Sequence, residues 1–209
     1  SRLGVHLRFG TVSIRRLALA AYELNRKFLG ELIWREFYQM ILWYFPHTVD
    51  KPFKAVYNEM VYPGSEADFE KWCRAETGYP LVDAGVRELI ETGFMHNRVR
   101  MVTASFLTKH LLCDWRWGER FFARHLYDFE LASNVGGWQW CAGVGADAAP
   151  YFRIFNPAEQ QKKFDPKGEY VSRWSGEDAN FFGTPAREPM IDHRFARERC
   201  LKFFSAVRQ

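Results

Sequence analysis

The chain of 209 residues is 47% hydrophobic and 17% aromatic, with eight tryptophans, enough to bury one substantial core and suited either to a cofactor pocket or to a large aromatic interior. Its 29 basic and 25 acidic residues leave a net charge of +4, which permits a nucleic-acid partner without demanding one. No apolar run approaches a membrane span, nothing at the start reads as a secretory n-region, and Cys73, Cys113, Cys141 and Cys200 lack the spacing of a disulfide framework or a zinc centre, so the expectation is a soluble chain in a reducing cytoplasm.

Ser13 caps a helix whose apolar positions are Ile14, Leu17, Leu19 and Ala21, and helical spacing resumes from Phe28 to Tyr44 until Pro46 stops it. Residues 46 to 65, with Pro46, Pro52, Pro63 and Gly64, read as an irregular connection, and Glu66 to Ala75 as a short helix. Gly78-Tyr79-Pro80 turns the chain. Pro80 then opens a helix that Gly93 closes, with Leu81, Ala84, Val86, Leu89 and Ile90 as its buried stripe. His96 to Leu112, Trp117 to Tyr127 and Leu131 to Cys141 follow as helices. After Asn156-Pro157 come a short helix, a Gly- and Pro-rich loop from Asp165 to Pro189, and a closing helix from His193 to Val207. With almost no strand signal and no repeat, the expectation is one all-α, multi-helical domain.

Three stretches carry chemistry. Glu31, Trp34, Arg35 and Tyr38 stand at i, i+3, i+4 and i+7 of one helix and share a face. They either aim a carboxylate, an indole and a guanidinium at one place or form an ordinary Glu31–Arg35 surface pair with Trp34 in the core. In the helix opened by His96, Asn97, Arg98 and Met101 point one way and Arg100 another, although taken singly Met101 reads as core and Arg98 as solvated. The densest stretch is DFELASNVGGWQW, from Asp128 to Trp140. Gly136 and Gly137 let a backbone come close to a flat ring. Asp128 and Glu130 could equally cap a helix start. Trp138 and Trp140 lie about 200° apart around a helix and face different sides. Arginines cluster at Arg15 and Arg16, at Arg98 and Arg100, and at Arg116, Arg120 and Arg124, which suits a basic stripe or plain solvated helix faces.

Read jointly, Glu31-Leu-Ile-Trp34-Arg-Glu-Phe, Met95-His-Asn-Arg-Val-Arg-Met101 and the segment from Asp128 to Trp140 resemble the flavin-binding domain of the photolyase and cryptochrome family, most closely the photolyases that repair cyclobutane pyrimidine dimers. The likeness runs through nearly the whole chain. It implies FAD, active in its reduced form, and UV-damaged DNA whose pyrimidine dimer is flipped out and split by light-driven electron transfer. A cryptochrome-like photoreceptor without repair activity is the alternative, and a helical DNA-binding module with no working cofactor is a third reading. No partner subunit and no membrane is called for.

The resemblance also assigns residues. Glu31, Asn97, Met101 and Trp140 would hold the lesion, Trp34 would pack against the flipped bases, and Arg98 would face the same cavity. Arg35 would hold the flavin diphosphate, Arg100 would pair with Asp128 beside the ring, Asp128 and Glu130 would touch its polar edges, and Asn134 would face flavin N5. Ser1, Arg2, Leu3 and Gly4 resemble the end of the family's phosphate-binding stretch, implying an upstream α/β antenna domain with its own chromophore and the start of the FAD domain. Trp138 would be the first electron relay and Trp115 the middle one, with Tyr62 outermost where the family usually has tryptophan. Arg153, Gln160 and Lys163 would line the DNA-facing rim. Photolyases acting on (6-4) photoproducts carry histidines where Asn97 and Met101 stand, so these residues favour the cyclobutane lesion.

Overall fold

Helix starts in this chain are set by side chains that accept otherwise unpaired N–H groups. In the computed structural model, which describes residues 2–147, 150–175 and 187–207, Ser13 accepts from Arg16 N–H, Asn25 from Phe28, Ser65 from Asp68, Asp114 from Arg116, and Asn156 from Ala158 and Glu159. The helices are α1 (Gly4–Phe9), α2 (Ile14–Leu24), α3 (Arg26–Tyr44), α4 (Glu66–Cys73), α5 (Pro80–Thr92), α6 (Asn97–Ser105), α7 (Trp115–His125), α8 (Leu131–Ala142), α9 (Pro157–Phe164), α10 (Glu169–Trp174) and α11 (His193–Val207). Two short 3-10 turns, Pro46–Val49 and Ala55–Tyr57, occupy the connection after α3. There is no strand among the described residues, so the fold is all-α as the sequence implies. No helix among them is long and apolar enough to cross a membrane.

α5 is the centre of the core. Leu81, Val82, Ala84, Val86 and Leu89 are buried. Arg87 and Glu88 on the same helix reach outward to fasten neighbours, Arg87 donating to the carbonyls of Ser175 and Ala75 and Glu88 accepting from the Tyr170 hydroxyl at 2.6 Å. These bonds hold α10, a helix inside the stretch expected to be loop from Asp165 to Pro189. Its start is local: Gly168 adopts φ 70°, and Asp165 accepts the Tyr170 and Val171 N–H groups. Residues 176–186 of that stretch lie outside the described residues.

The helix expected from His96 to Leu112 is two pieces. α6 ends at Ser105 and Phe106–His110 continue as a π-helical turn, with Leu111 N–H donating to the Phe106 carbonyl and Leu112 at φ 54°. The wide turn sends Lys109 and His110 inward. Lys109 Nζ donates to the Arg153 carbonyl at 2.9 Å, its ammonium pushed down to about 8 by burial, and His110 Nε2 meets His193 Nδ1 at 2.8 Å, tying α11 to the core. α7 begins at Trp115, two residues earlier than the apolar pattern implies, because Asp114 caps it, and it ends at His125.

α8 runs against α3, α6 and α7. Small residues set that approach: a side chain on Gly118 of α7 would collide with the Trp138 ring of α8, and one on Gly136 of α8 would collide with the Tyr38 ring of α3. The flat ring that Gly136 admits thus belongs to the chain itself.

Candidate functional site

α3, α6, α7 and α8 enclose a cavity of about 420 Å³, of the size of small-molecule clefts. Glu31, Trp34, Arg35 and Tyr38 enter it from α3, Asn97, Arg100 and Met101 from α6, Phe122 from α7, and Ser133, Asn134, Gly137, Trp138 and Trp140 from α8, with Asp128 and Glu130 from the connection between α7 and α8. A Cβ on Gly137 would meet nothing within 4 Å, so this glycine, unlike Gly136, widens the space.

The α3 face is not a Glu31–Arg35 surface pair. Arg35 donates to Gln39 Oε1 at 3.3 Å, one turn on, and makes no ion pair with Glu31 among the described residues. Glu31 is exposed, and Trp34 remains 42% exposed although it packs on Phe37 and Tyr38, with centroids at 5.5 and 5.9 Å. Tyr38 is more enclosed, and burial pushes its phenol up to about 12.

Arg100 and Asp128 form an ion pair. One guanidinium nitrogen, Nη2, donates to both carboxylate oxygens at 3.0 Å, and Nε donates to the Met95 carbonyl at 2.7 Å, fixing the head group in place. Gly4 lies so close to Asp128 that a Cβ there would sit 2.7 Å from Oδ2, and the Arg2 guanidinium lies 4.8 Å from the centre of the Phe94 ring. Gly4 therefore backs the Arg100–Asp128 pair and Arg2 packs on Phe94, but Arg2, Leu3 and Gly4 do not line the cavity, and Ser1 lies outside the described residues. Glu130 caps α8, its two carboxylate oxygens accepting from Ala132 N–H, Ser133 N–H and the Ser133 hydroxyl. Of the two acids it alone takes the capping role.

Asn134 is buried and oriented by a residue that local spacing did not mark. Its Nδ2 donates to the Glu119 carbonyl at 3.0 Å and to Glu119 Oε1 at 2.9 Å. This fixes the amide and leaves Oδ1 uncommitted among the described residues. Burial holds the Glu119 carboxyl above the usual carboxylate range, with the Asn134 bond opposing. Glu119 is one helical turn past Trp115, so the face of α7 that carries the expected relay also carries this positioning group.

Trp138 and Trp140 both reach the cavity, although they leave α8 in different directions. Trp138 is 2% exposed, wedged between Phe122 at 4.9 Å and Trp72 at 6.2 Å, and its Nε1 has no partner among the described residues. Trp115 is buried away from the cavity. With Tyr62 it lines a separate hollow of about 150 Å³. Arg98 and the rim residues also stand off the cavity lining. The Arg98 guanidinium lies 4.5 Å from the centre of the Phe164 ring and Lys163 Nζ 5.4 Å from it, joining α6 to α9, while Arg153 is exposed and its carbonyl holds Lys109. Gln160 Oε1 is buried without a partner among the described residues.

Residues 28–190 match the family model described as the FAD binding domain of DNA photolyase. A deoxyribodipyrimidine photo-lyase of Alkalihalophilus pseudofirmus is 42% identical over 232 residues, a match covering 98% of this chain and 48% of that protein. Among solved structures, a class III photolyase from Agrobacterium tumefaciens superposes with a TM-score of 0.90 at 40% identity, over 99% of this chain and 49% of the other. A cryptochrome of Synechocystis gives a TM-score of 0.84 at 29% identity, over 97% of this chain and 48% of the other. The chain spans about half the length of the curated relatives it matches.

Proposed function

Because the chain belongs to the family of FAD-binding domains of DNA photolyases, we propose that its cavity seats FAD and admits a cyclobutane pyrimidine dimer turned out of UV-damaged DNA, which the complete protein splits under blue light. One observation carries this reading: Glu31, Trp34, Asn97, Met101 and Trp140 open into the same space as Arg100, Asp128, Asn134 and Trp138. A planar, phosphate-bearing group fits it, with Gly137 giving room, the Arg100–Asp128 pair fixed beside it and Arg35 positioned for an anionic tail. When bound, reduced FAD supplies on excitation an electron that is lent to the dimer and returned once its two C–C bonds have parted.

The chain's residues do the rest. Asn134, held by Glu119, presents a fixed amide oxygen to the flavin ring. Trp34 and Trp140 offer aromatic faces to bases that have lost their stacking in the duplex. Glu31 and Asn97 offer an acceptor and an amide to the dimer's polar edges. Arg98, Arg153, Gln160 and Lys163 form a rim that meets phosphates and positions the strand without reading sequence. Trp138 hands electrons inward when the flavin has to be reduced, with Trp115 and Tyr62 beyond it.

The test is direct. The purified chain is mixed with FAD, desalted, reduced, and illuminated with single-stranded DNA bearing thymine dimers. Retained yellow colour with restored thymines supports the reading. Retained colour without restoration favours a photoreceptor of the cryptochrome kind, and a colourless protein leaves a helical nucleic-acid module.

A further inference from the structure

We propose that His110 and His193 form an acid-released latch: as neutral rings they clasp the first half of α11 to the π-helical turn behind α6, and protonation frees that half of the helix while the α5 core stays folded. The latch does not depend on what the cavity holds. His110 is fully buried, stacked on Phe106 at 4.7 Å and 22°, with the Tyr79 ring edge-on at 6.1 Å. His193 opens α11 and is half-buried, so protons reach the pair from its side. The 2.8 Å contact between His110 Nε2 and His193 Nδ1 is a hydrogen bond only when one nitrogen carries a hydrogen and the other presents a bare lone pair. Two neutral rings satisfy this with one tautomer each. Two protonated rings do not, because their N–H groups oppose each other. A single added proton is shared only by holding an imidazolium where charge is costly.

The groups facing the pair do little to hold such a charge. From α11 and its cap come Asp192, Arg197 and Arg199. Asp192, the one carboxylate among them, is exposed, and its Oδ1 accepts the Phe195 N–H. Arg199 donates to the His110 carbonyl and sets a positive charge beside the ring. In the turn before α5 the Tyr79 hydroxyl donates to the Ile191 carbonyl, and in the π-helical turn Lys109, a like charge, is directed to the Arg153 carbonyl. His110 Nδ1 has no partner among the described residues, so a hydrogen placed there is buried unpaired. Burial, reinforced by His193 and Arg199, holds His110 below the usual imidazole range. Burial lowers His193 as well, with Asp192 opposing.

Once α11 is free, the rings regain an ordinary imidazole value of about 6.5, above their value in the closed state. The open state therefore takes up protons first as pH falls, and closure that is full at neutral pH weakens through about 6.5 and below. The far half of α11 is anchored differently. Phe204 is fully buried, stacked on Tyr151 at 5.8 Å and 18° and edge-on to Tyr57 at 6.0 Å, an anchor with no group that titrates in this range. The acid effect falls on the half from His193 to Cys200.

Hydrogen exchange of the purified chain, resolved by peptide and corrected for the pH dependence of exchange itself, reads the latch. Between about pH 7.5 and about pH 5.5, protection from His193 to Cys200 should fall by about tenfold or more, the worth of one imidazole, while α5 keeps its protection. In His110→Gln/His193→Asn the two amides reach the places of Nε2 and Nδ1 and still pair, yet do not titrate, so the fall should shrink to less than about twofold. Equal protection at both pH values in the parent overturns the proposal. So does a fall that α5 shares in equal measure, which is global unfolding, or one that persists undiminished in the folded double variant. NMR titration of the ring C–H signals in the parent needs no variant: both rings should titrate below the ordinary imidazole value, and rings that titrate at it with α11 still protected overturn the latch.

Discussion

On one wall of the cavity Asp128 and Asn134 are held by other helices and Glu130 and Ser133 by each other at the start of α8, whereas Glu31 and Asn97, on the α3 and α6 rim, stand exposed with no side-chain hydrogen bond to a described residue. The first set is positioned before anything binds. The second is free to form its bonds only with what arrives. A wall whose donors and acceptors are already oriented suits a resident group that must sit in one pose, and an open rim suits a ligand that enters, reacts and leaves. The division predicts that substitutions on the wall change folding and cofactor retention, and that substitutions on the rim change only the visiting ligand.

The largest effect is expected at the Arg100–Asp128 pair. Arg100→Ala removes the guanidinium from a carboxylate that is 14% exposed and strands that charge, at a cost of about 2 to 4 kcal/mol. Thermal melting would show the loss, and FAD retention after desalting should drop with it. A variant that melts within a degree or two of the parent and keeps its colour would show that the wall is not preorganised through this pair.

Asn134→Asp tests the same wall through pH. In the parent, burial raises the Glu119 carboxyl, so the unfolded chain ionises first as pH climbs. Stability present below the ordinary carboxylate value is therefore lost as pH rises toward the folded one. Replacing the Asn134 amide removes the N–H donor at 2.9 Å from Glu119 Oε1 and sets a second carboxyl there, pushing both upward as a coupled pair. The stability gap between variant and parent, read from thermal melting, should be small near pH 4, widen toward pH 7, and reach roughly 1 to 3 kcal/mol. Glu119→Gln in the same chain should close it. A gap that does not change with pH would remove Glu119 from the account.

The helices were legible where their causes are local: Ser13 capping α2, Asn156-Pro157 opening α9, Pro80 and Gly93 at the two ends of α5, and between them an apolar stripe in which Leu81, Ala84, Val86 and Leu89 are buried, while Ile90, expected with them, is 48% exposed. What escaped depends on remote partners. Glu119 acquires its meaning from Asn134 on the following helix, and α10 from Arg87 and Glu88 on α5. The π-helical turn keeps the apolar pattern of an α-helix while adding a residue to the turn, so periodicity reads through it. The cavity was legible through family resemblance and not through spacing, since Glu31 and Arg35 one turn apart read most simply as a surface pair until Gln39 is seen to take the arginine. Arg98 shows the limit of both routes. It follows Asn97 in sequence, but one helical step of about 100° carries it onto Phe164 and away from the cavity lining.

Glu31→Gln and Asn97→Ala carry the smallest expected effect on the protein and the sharpest consequence for the comparison. Neither residue is buried and neither has a side-chain partner among the described residues, so each change should leave stability within about 0.5 kcal/mol and flavin retention untouched. If the rim is where the dimer is held, affinity for dimer-containing single strands should fall by about tenfold, the worth of one charge-assisted hydrogen bond, while affinity for undamaged strands stays level. Fluorescence anisotropy with paired damaged and undamaged oligonucleotides separates the two. Equal weakening for both strands would make Glu31 and Asn97 general surface contacts, and a fall in melting temperature would place them with the wall, erasing the distinction between a fixed side and a free one.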